Sequence, residues 1–470
     1  MILASPQPRP TPTDLGALPY DFASIRAALA DGADPVALAL ESRRRAAALA
    51  DDGVFTALVP EETVRARAEE AAARARAGEE LPLLGLTYAV KDNIHVAGMA
   101  TTSNCPALAL DPGAGSPLIG VLERAGAVLI GKNTMDQFAT GLNGTRSPEP
   151  LCRNAVNPAY IPGGSSSGSA VAVARDVVSF SLGSDTGGSG RVPAACNGIV
   201  GLKPTLGLVS TQGLVYNSRF LDCVPVFTKR VADAAEILRA IAGFDPADPW
   251  SRRDADAIDL TPTAPDLGAQ VAVPRRDQLR FFGDAAAEAA HDANLAALKA
   301  MGFELVEIDF APFEEAGRLV FQSALVAERL VDYGEVFENR PEGVHPAVRA
   351  SIEPGLAYTA RDAFEAIYRM RELARAAEIA LDSFAALVTP TVPTIFTIDE
   401  LLAEPMARNT VMGTYTYYVN PMNLCAVSVP GVTRKDKLPS ALSFVGLAGA
   451  DGRISGLARR FEAALEADPA

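Results

Sequence analysis

The chain has 470 residues, of which 49% are apolar and 21% charged, values that support a sizeable buried core and exclude a largely disordered polypeptide. Its 42 basic residues face 57 acidic ones, for a net charge of -15, which repels phosphate backbones and anionic membrane surfaces. Nucleic acid and membrane are therefore excluded as partners, and an anionic ligand would need a local cation, which places weight on individual arginines. The length exceeds that at which single cores usually stop growing, so one large domain with a cover and two domains are both open.

Five cysteines, Cys105, Cys152, Cys196, Cys223 and Cys425, form no CxxC pair, and they are expected buried and reduced. Residues 1–14 are proline-rich and polar, unlike a basic and then apolar leader, and no apolar run reaches the roughly 20 residues of a membrane span. A cytoplasmic protein is the expectation.

In chain order, residues 1–80 read as an alanine-rich helical lead-in packed on the core, with Ile25, Leu29, Val36, Leu38 and Leu40 at its apolar positions. From Leu84 the texture changes. Short β-prone runs at 86–90, 127–130 and 177–182 alternate with helical patterns, which is how α/β layering reads. Helices over 232–242 and, after Asp284, 285–301 are each followed by a glycine, Gly243 and Gly302, suited to a left-handed helix end. Residues 303–310 alternate as a strand. Residues 311–384 look mainly helical, with 361–384 the longest amphipathic run, and form the expected cap; 386–388 and 441–445 return to the sheet. The expected division is a lead-in over 1–80, a core over 81–310, a cap and substrate region over 311–384, and a return to the core over 385–470.

The chemistry concentrates in two loops. Pro162-Gly163-Gly164-Ser165-Ser166-Ser167-Gly168-Ser169 precedes an apolar helical run, and Gly183-Ser184-Asp185-Thr186-Gly187-Gly188-Ser189-Gly190-Arg191 follows the strand run ending at 182. Glycines there allow positive φ and let a substrate approach main-chain N–H groups closely. A serine needs a base to become a nucleophile. Only three histidines, His95, His291 and His345, are present, and none sits in a serine-histidine arrangement, so lysine is the leading alternative. Lys91 ends the apolar strand run at 86–90, where desolvation favours the neutral amine. Ser165 also suits a helix N-cap, a role compatible with chemistry. The run Gly126-Ala127-Val128-Leu129-Ile130-Gly131-Lys132 superficially matches a phosphate-binding loop, but Asn133 replaces the hydroxyl residue and the middle reads as a buried strand, so nucleotide binding is rejected.

Leu86-Thr87-Tyr88-Ala89-Val90-Lys91-Asp92-Asn93, the two Gly/Ser loops and Gly201-Leu202-Lys203-Pro204-Thr205, in that order, resemble the amidase signature family. The resemblance implies an α/β fold with a central mixed, twisted sheet covered by helices on both faces and a smaller helical cap. It implies Ser189 as nucleophile, Lys91 as general base and Ser165, after a cis peptide, as proton relay. It further implies an oxyanion hole from the N–H groups of Thr186, Gly187, Gly188 and Ser189, with Asp185 and Arg191 supporting the loop, and neither cofactor nor metal.

Met135-Asp136-Gln137-Phe138-Ala139-Thr140-Gly141, Gly144-Thr145-Arg146-Ser147-Pro148, Cys152-Arg153-Asn154 and Gly243-Phe244-Asp245-Pro246 resemble the allophanate hydrolases within that family. That implies release of ammonia from a small ureido carboxylate, with Gly141, Phe321 and Arg329 at the substrate-binding positions. In those enzymes a tyrosine stands eight residues before the arginine; here Phe321 stands eight before Arg329, and Leu325 replaces a usual tryptophan. Arg329 also reads as an ordinary helix-surface arginine. A further C-terminal domain of unrelated fold is expected to be absent. Alternatives are another ureido or simple amide, biuret-like or guanylurea-like, and an ammonia-transferring subunit of an amidotransferase-type assembly. Enzymes of this kind are commonly homodimers, which is the expected assembly.

Overall fold

The computed structural model describes residues 14–467; the proline-rich opening, apart from Asp14, lies outside them. Eleven strands, β1 (Phe55–Leu58), β2 (Thr87–Lys91), β3 (Val128–Asn133), β4 (Phe180–Leu182), β5 (Val200–Lys203), β6 (Val226–Thr228), β7 (Gln270–Pro274), β8 (Glu304–Ile308), β9 (Leu387–Pro390), β10 (Leu424–Pro430) and β11 (Ala441–Leu447), form one sheet in the order β1-β3-β2-β4-β6-β5-β10-β11-β9-β7-β8. Pairing is parallel at β3/β2, β2/β4, β9/β7 and β7/β8 and antiparallel at the other junctions, so the sheet is mixed.

Alternation along the strands shows why both faces are covered. In β10, Cys425, Val427 and Val429 join one core, whereas Leu424 and Ala426 join another. Successive side chains point to opposite faces of a sheet, so each face needs its own apolar partner. On the first face lie the helices Val231–Ile241, Ala285–Ala300 and Asp451–Ala467, through Ile237, Leu298 and Phe461. On the second lie Ala311–Gln322 and Ala360–Leu381, through Phe313, Leu373 and Leu381. Each fully buried Leu, Val or Phe is worth about 1.5–3 kcal/mol of transfer free energy.

Some sequence expectations differ from the structure. The lead-in is not wholly helical, because it carries β1, which pairs antiparallel with β3 at the sheet edge. Only 180–182 of the run 177–182 is strand; Val177 and Val178 are buried in the turn before it. Gly302 adopts φ +89° after the helix Ala285–Ala300, as a helix end requires, and Gly243 also has positive φ, +147°. Residues 311–384 hold the helices Ala311–Gln322, Arg329–Asn339, Pro346–Ile352 and Ala360–Leu381. They pack on the loops beside them partly through Tyr333, whose ring stacks on Phe138 at 4.2 Å. All five cysteines are buried and unpaired. Among the described residues no helix is long and apolar enough to cross a membrane.

Candidate active site

β2 and β4 run parallel with Val90 opposite Leu182, so the residues just beyond them, Lys91 and Gly183-Ser184, lie side by side at one end of the sheet. The helix Ser167–Ala174 begins within the first Gly/Ser run, three residues earlier than its sequence suggests, and leads back to β4, which brings that loop to the same end as the second. β2 is buried at all five positions, because it sits between two parallel neighbours inside a sheet covered on both faces. Lys91 inherits that burial and is 0% exposed.

Lys91 Nζ lies 2.7 Å from Ser165 Oγ and 2.8 Å from Ser184 Oγ, with the Ser184 carbonyl at 3.3 Å. Ser165 Oγ lies 2.9 Å from Ser189 Oγ. The three expected residues are thus joined in one chain of polar contacts, and the Gly164-Ser165 peptide is cis. Burial pushes the Lys91 amine down from 10.5 to about 7, against the longer-range pull of Asp222, Asp136 and Asp185 toward the ammonium. Its close partners among the described residues are hydroxyls and a carbonyl, and no carboxylate lies within ion-pair distance. Lys132, in the rejected phosphate-loop run, instead pairs with Asp92 at 2.8 Å, both buried within the fold.

In the second loop the N–H groups of Thr186, Gly187 and Ser189 donate to no protein acceptor among the described residues. Gly188 N–H, expected as a fourth oxyanion donor, is already taken: it donates to Asp185 Oδ1 at 2.8 Å. Gly188 has φ +139°, and a Cβ there would overlap Thr416 Oγ1, so position 188 admits no side chain. Arg191 clamps Asp185 bidentately, Nε to Oδ2 at 3.0 Å and Nη2 to Oδ1 at 2.9 Å. Both side chains are 0% exposed. Burial works to raise the Asp185 carboxyl, but Arg191, Lys203 and the Gly190 N–H hold it below its ordinary value.

Ser189, Thr186 and Gly187 open on a cavity of about 570 Å³, whose wall includes Gly141, Arg146, Phe321, Asn409 and Tyr417. Gly141 is held bare by its neighbours, since a Cβ would come within 2.6 Å of Asp136 Oδ2 and 3.0 Å of Arg146 Cδ. Phe321 packs its ring edge on Gly187. Arg329 is not on the helix surface but 2% exposed, with its guanidinium carbon 5.2 Å from the Phe321 ring centre.

Four residues near the site were not picked out from the sequence. Ser184 stood in the quoted loop beside Asp185, and its contact with Lys91 follows from the parallel register. Asp222 accepts from Thr186 Oγ1 at 2.5 Å and from Asn217 N–H at 2.7 Å; burial pushes its carboxyl up to about 7 despite these bonds. Nothing local at 222 signals this, because its partners lie up to 36 residues away. Asn409 accepts from Leu142 N–H and Asn143 Nδ2 across more than 260 positions. Arg146 stood in a quoted motif without a role.

A mixed sheet of this order with two Gly/Ser loops and a buried lysine at one end defines an amidase-type enzyme, and the chain belongs to the Amidase family, whose sequence profile matches residues 38–454. That family acts on linear amide C–N bonds. The chain is 36% identical over 385 residues to the urea amidolyase of Saccharomyces cerevisiae, covering 82% of this chain but 21% of that protein's length. It is 33% identical over 457 residues to one of the subunits of the Glutamyl-tRNA(Gln) amidotransferase of Bacillus cytotoxicus, covering 91% of this chain and 93% of the other. Among solved structures it is similar to an allophanate hydrolase of Kluyveromyces lactis, with TM-score 0.87 and 32% identity over 95% of this chain and 73% of that one.

Proposed function

We propose that this protein hydrolyses the amide bond of a small ureido substrate, allophanate being the favoured one, with release of ammonia. Ser189 Oγ attacks the carbonyl carbon, and its proton passes through the Ser165 hydroxyl to the neutral Lys91 amine. The ammonium form of Lys91 donates toward Ser165; the neutral amine reverses that bond and accepts. The developing oxyanion is met by the Thr186, Gly187 and Ser189 N–H groups, where losing one such donor typically costs about 3–4 kcal/mol. The proton returns along the same path to the departing nitrogen, ammonia leaves, and water hydrolyses the acyl-Ser189 ester to release the acid. Asp185 and Arg191 hold the loop that carries these donors.

The observation that supports this reading most is the continuous contact from Lys91 Nζ through Ser165 Oγ to Ser189 Oγ at 2.7 and 2.9 Å, ending at the wall of a cavity. Mass spectrometry of the Ser189 peptide during turnover, across allophanate, biuret, guanylurea and simple amides, is expected to find an acyl adduct with the preferred substrate. An adduct on another side chain, or none with any amide that is turned over, would overturn the assignment.

A second reading is an ammonia-transferring subunit, favoured by the near full-length match to the amidotransferase component. It expects little ammonia release from the isolated chain and copurification with another. A cytoplasmic homodimer acting on a small molecule completes the proposal, with sedimentation measuring the assembly.

A further inference from the structure

We propose that the outer face of the helix Ala360–Leu381 is the seam of a homodimer, on which a second copy of this chain lays the same helix antiparallel about a two-fold axis. The inference rests on the homodimer reading given above and names the surface that forms it.

This 22-residue helix turns Ala366, Met370, Leu373, Ala377 and Leu381 inward onto the protein. On the opposite side, within an arc of about 100°, stand Phe364, Tyr368 and Ile379, which are 56%, 62% and 73% exposed. The Phe364 and Tyr368 rings lie 6.2 Å apart, centre to centre, one turn from each other. An outer helix face is ordinarily polar, and three large apolar side chains on it mark a contact surface.

The polar residues of the same arc identify the occupant, because the face is complementary to itself. With the two-fold axis between Arg371 and Glu372, an antiparallel copy sets Phe364 against Ile379 of the second copy and Tyr368 against Arg375 of the second copy, a cation on an aromatic face. Arg361 then meets Asp382, the C-cap of the helix, and Arg371 lies level with Glu372. Every contact occurs twice, as a two-fold interface requires. Registers that pair two different apolar residues otherwise bring like charges level: Arg361 with Arg371 when Phe364 meets Tyr368, and Glu365 with Asp382 when Tyr368 meets Ile379. Arg361 and Arg375 hold Glu365 and Glu378 of their own helix, exposed pairs that contribute little and give way readily. Arg361, Arg371 and Arg375 nearly balance the acids of this face, Glu365, Glu372, Glu378 and Asp382, so the repulsion between two copies of net charge -15 is locally relieved.

Sedimentation velocity on the whole chain at micromolar concentration is expected to show a dimer. Tyr368→Lys sets a cation against Arg375 and is expected to weaken that dimer roughly 100-fold, since the change acts twice about the axis. Tyr368→Glu, equally polar, sets an anion there and is expected to cost no more than about 10-fold. Under mild oxidation the double variant Tyr368→Cys/Arg375→Cys is expected to run as a disulfide-linked dimer, because positions seven apart on one helix are about 10 Å from each other and cannot bridge within a chain. Neither single cysteine variant is expected to cross-link. A dimer that Lys and Glu at 368 weaken equally, one that neither weakens, or a double cysteine variant that stays unlinked would overturn this seam and leave the homodimer standing. A monomeric wild type would overturn both. Ammonia release enters none of these measurements, so a failed mechanism at Ser189 is told apart from a failed seam.

Discussion

Ser189→Ala and Lys91→Ala are each expected to lower kcat by roughly ten-thousand-fold or more, with the double variant scarcely worse than either, because residues that act as one unit lose their whole contribution together. The reason is the path between them: removing Ser189 Oγ removes the attacking atom, and removing Lys91 Nζ leaves Ser165 with no acceptor for the proton. The pH profile separates the lysine from a passive contact. With its amine at about 7, only the neutral form accepts a proton, so kcat/KM should rise tenfold per pH unit below that value and level off above it. In Lys91→Ala the residual rate should lack this limb. Ammonia release measured from pH 5 to 9 checks both points; a limb that survives in Lys91→Ala would show that another group titrates.

Arg191→Met is expected to destabilise the fold by about 3–5 kcal/mol, the range for removing one partner of a buried ion pair. Asp185 would stay 0% exposed with the Gly188 and Gly190 N–H groups, at 2.8 Å each, and the longer-range charge of Lys203 against its own. Arg191 also donates to Thr416 O at 3.0 Å and Asn420 Oδ1 at 2.9 Å, so those acceptors lose a donor too. The sign with pH is specific. In the wild type the Asp185 carboxyl is depressed, so its contribution is present above the unfolded value and lost as pH falls; in the variant it is raised, so its penalty is present at neutral pH and relieved as pH falls. Urea midpoints of the two proteins should therefore converge from pH 7 toward pH 4. A gap that stays constant would mean the charge of Asp185 is not what Arg191 balances.

The family and the α/β class were legible because their signals are local. The run at 86–90 announces a buried strand by composition, and the glycines around Ser165 and Ser189 announce loops by the backbone freedom they give. β10 was not foreseen, although it pairs in the middle of the sheet with β5 and β11; its partners lie hundreds of positions back and a short hairpin forward, and Leu424–Pro430 has no turn chemistry of its own. β1 was hidden for a similar reason, as a four-residue edge strand between long helices. The occupied Gly188 N–H was also out of reach, since it depends on where one Asp185 oxygen points. Arg329 was open between surface and substrate because spacing fixes a helical face only within a continuous helix. Here the helix ends at Gln322, Ser323 is extended, and a 3-10 turn precedes Arg329, so the arginine is carried inward.

Burial of Lys91 has a further consequence, for the folding equilibrium itself. An amine of 10.5 when the chain is open and about 7 when it is closed means that folding between those two pH values expels a proton into solution. The unfolded chain binds that proton more tightly, so the folded state gains stability as pH rises from 7 toward 10.5, and at or below neutrality it carries a handicap of order 5 kcal/mol from this one side chain. Lys91→Met, similar in length and free of the charge, should be more resistant to urea than the wild type at pH 7, with its advantage shrinking by pH 9.5; an advantage independent of pH would refute the handicap. The same proton that the fold must shed is the vacancy into which Ser189 would release its own.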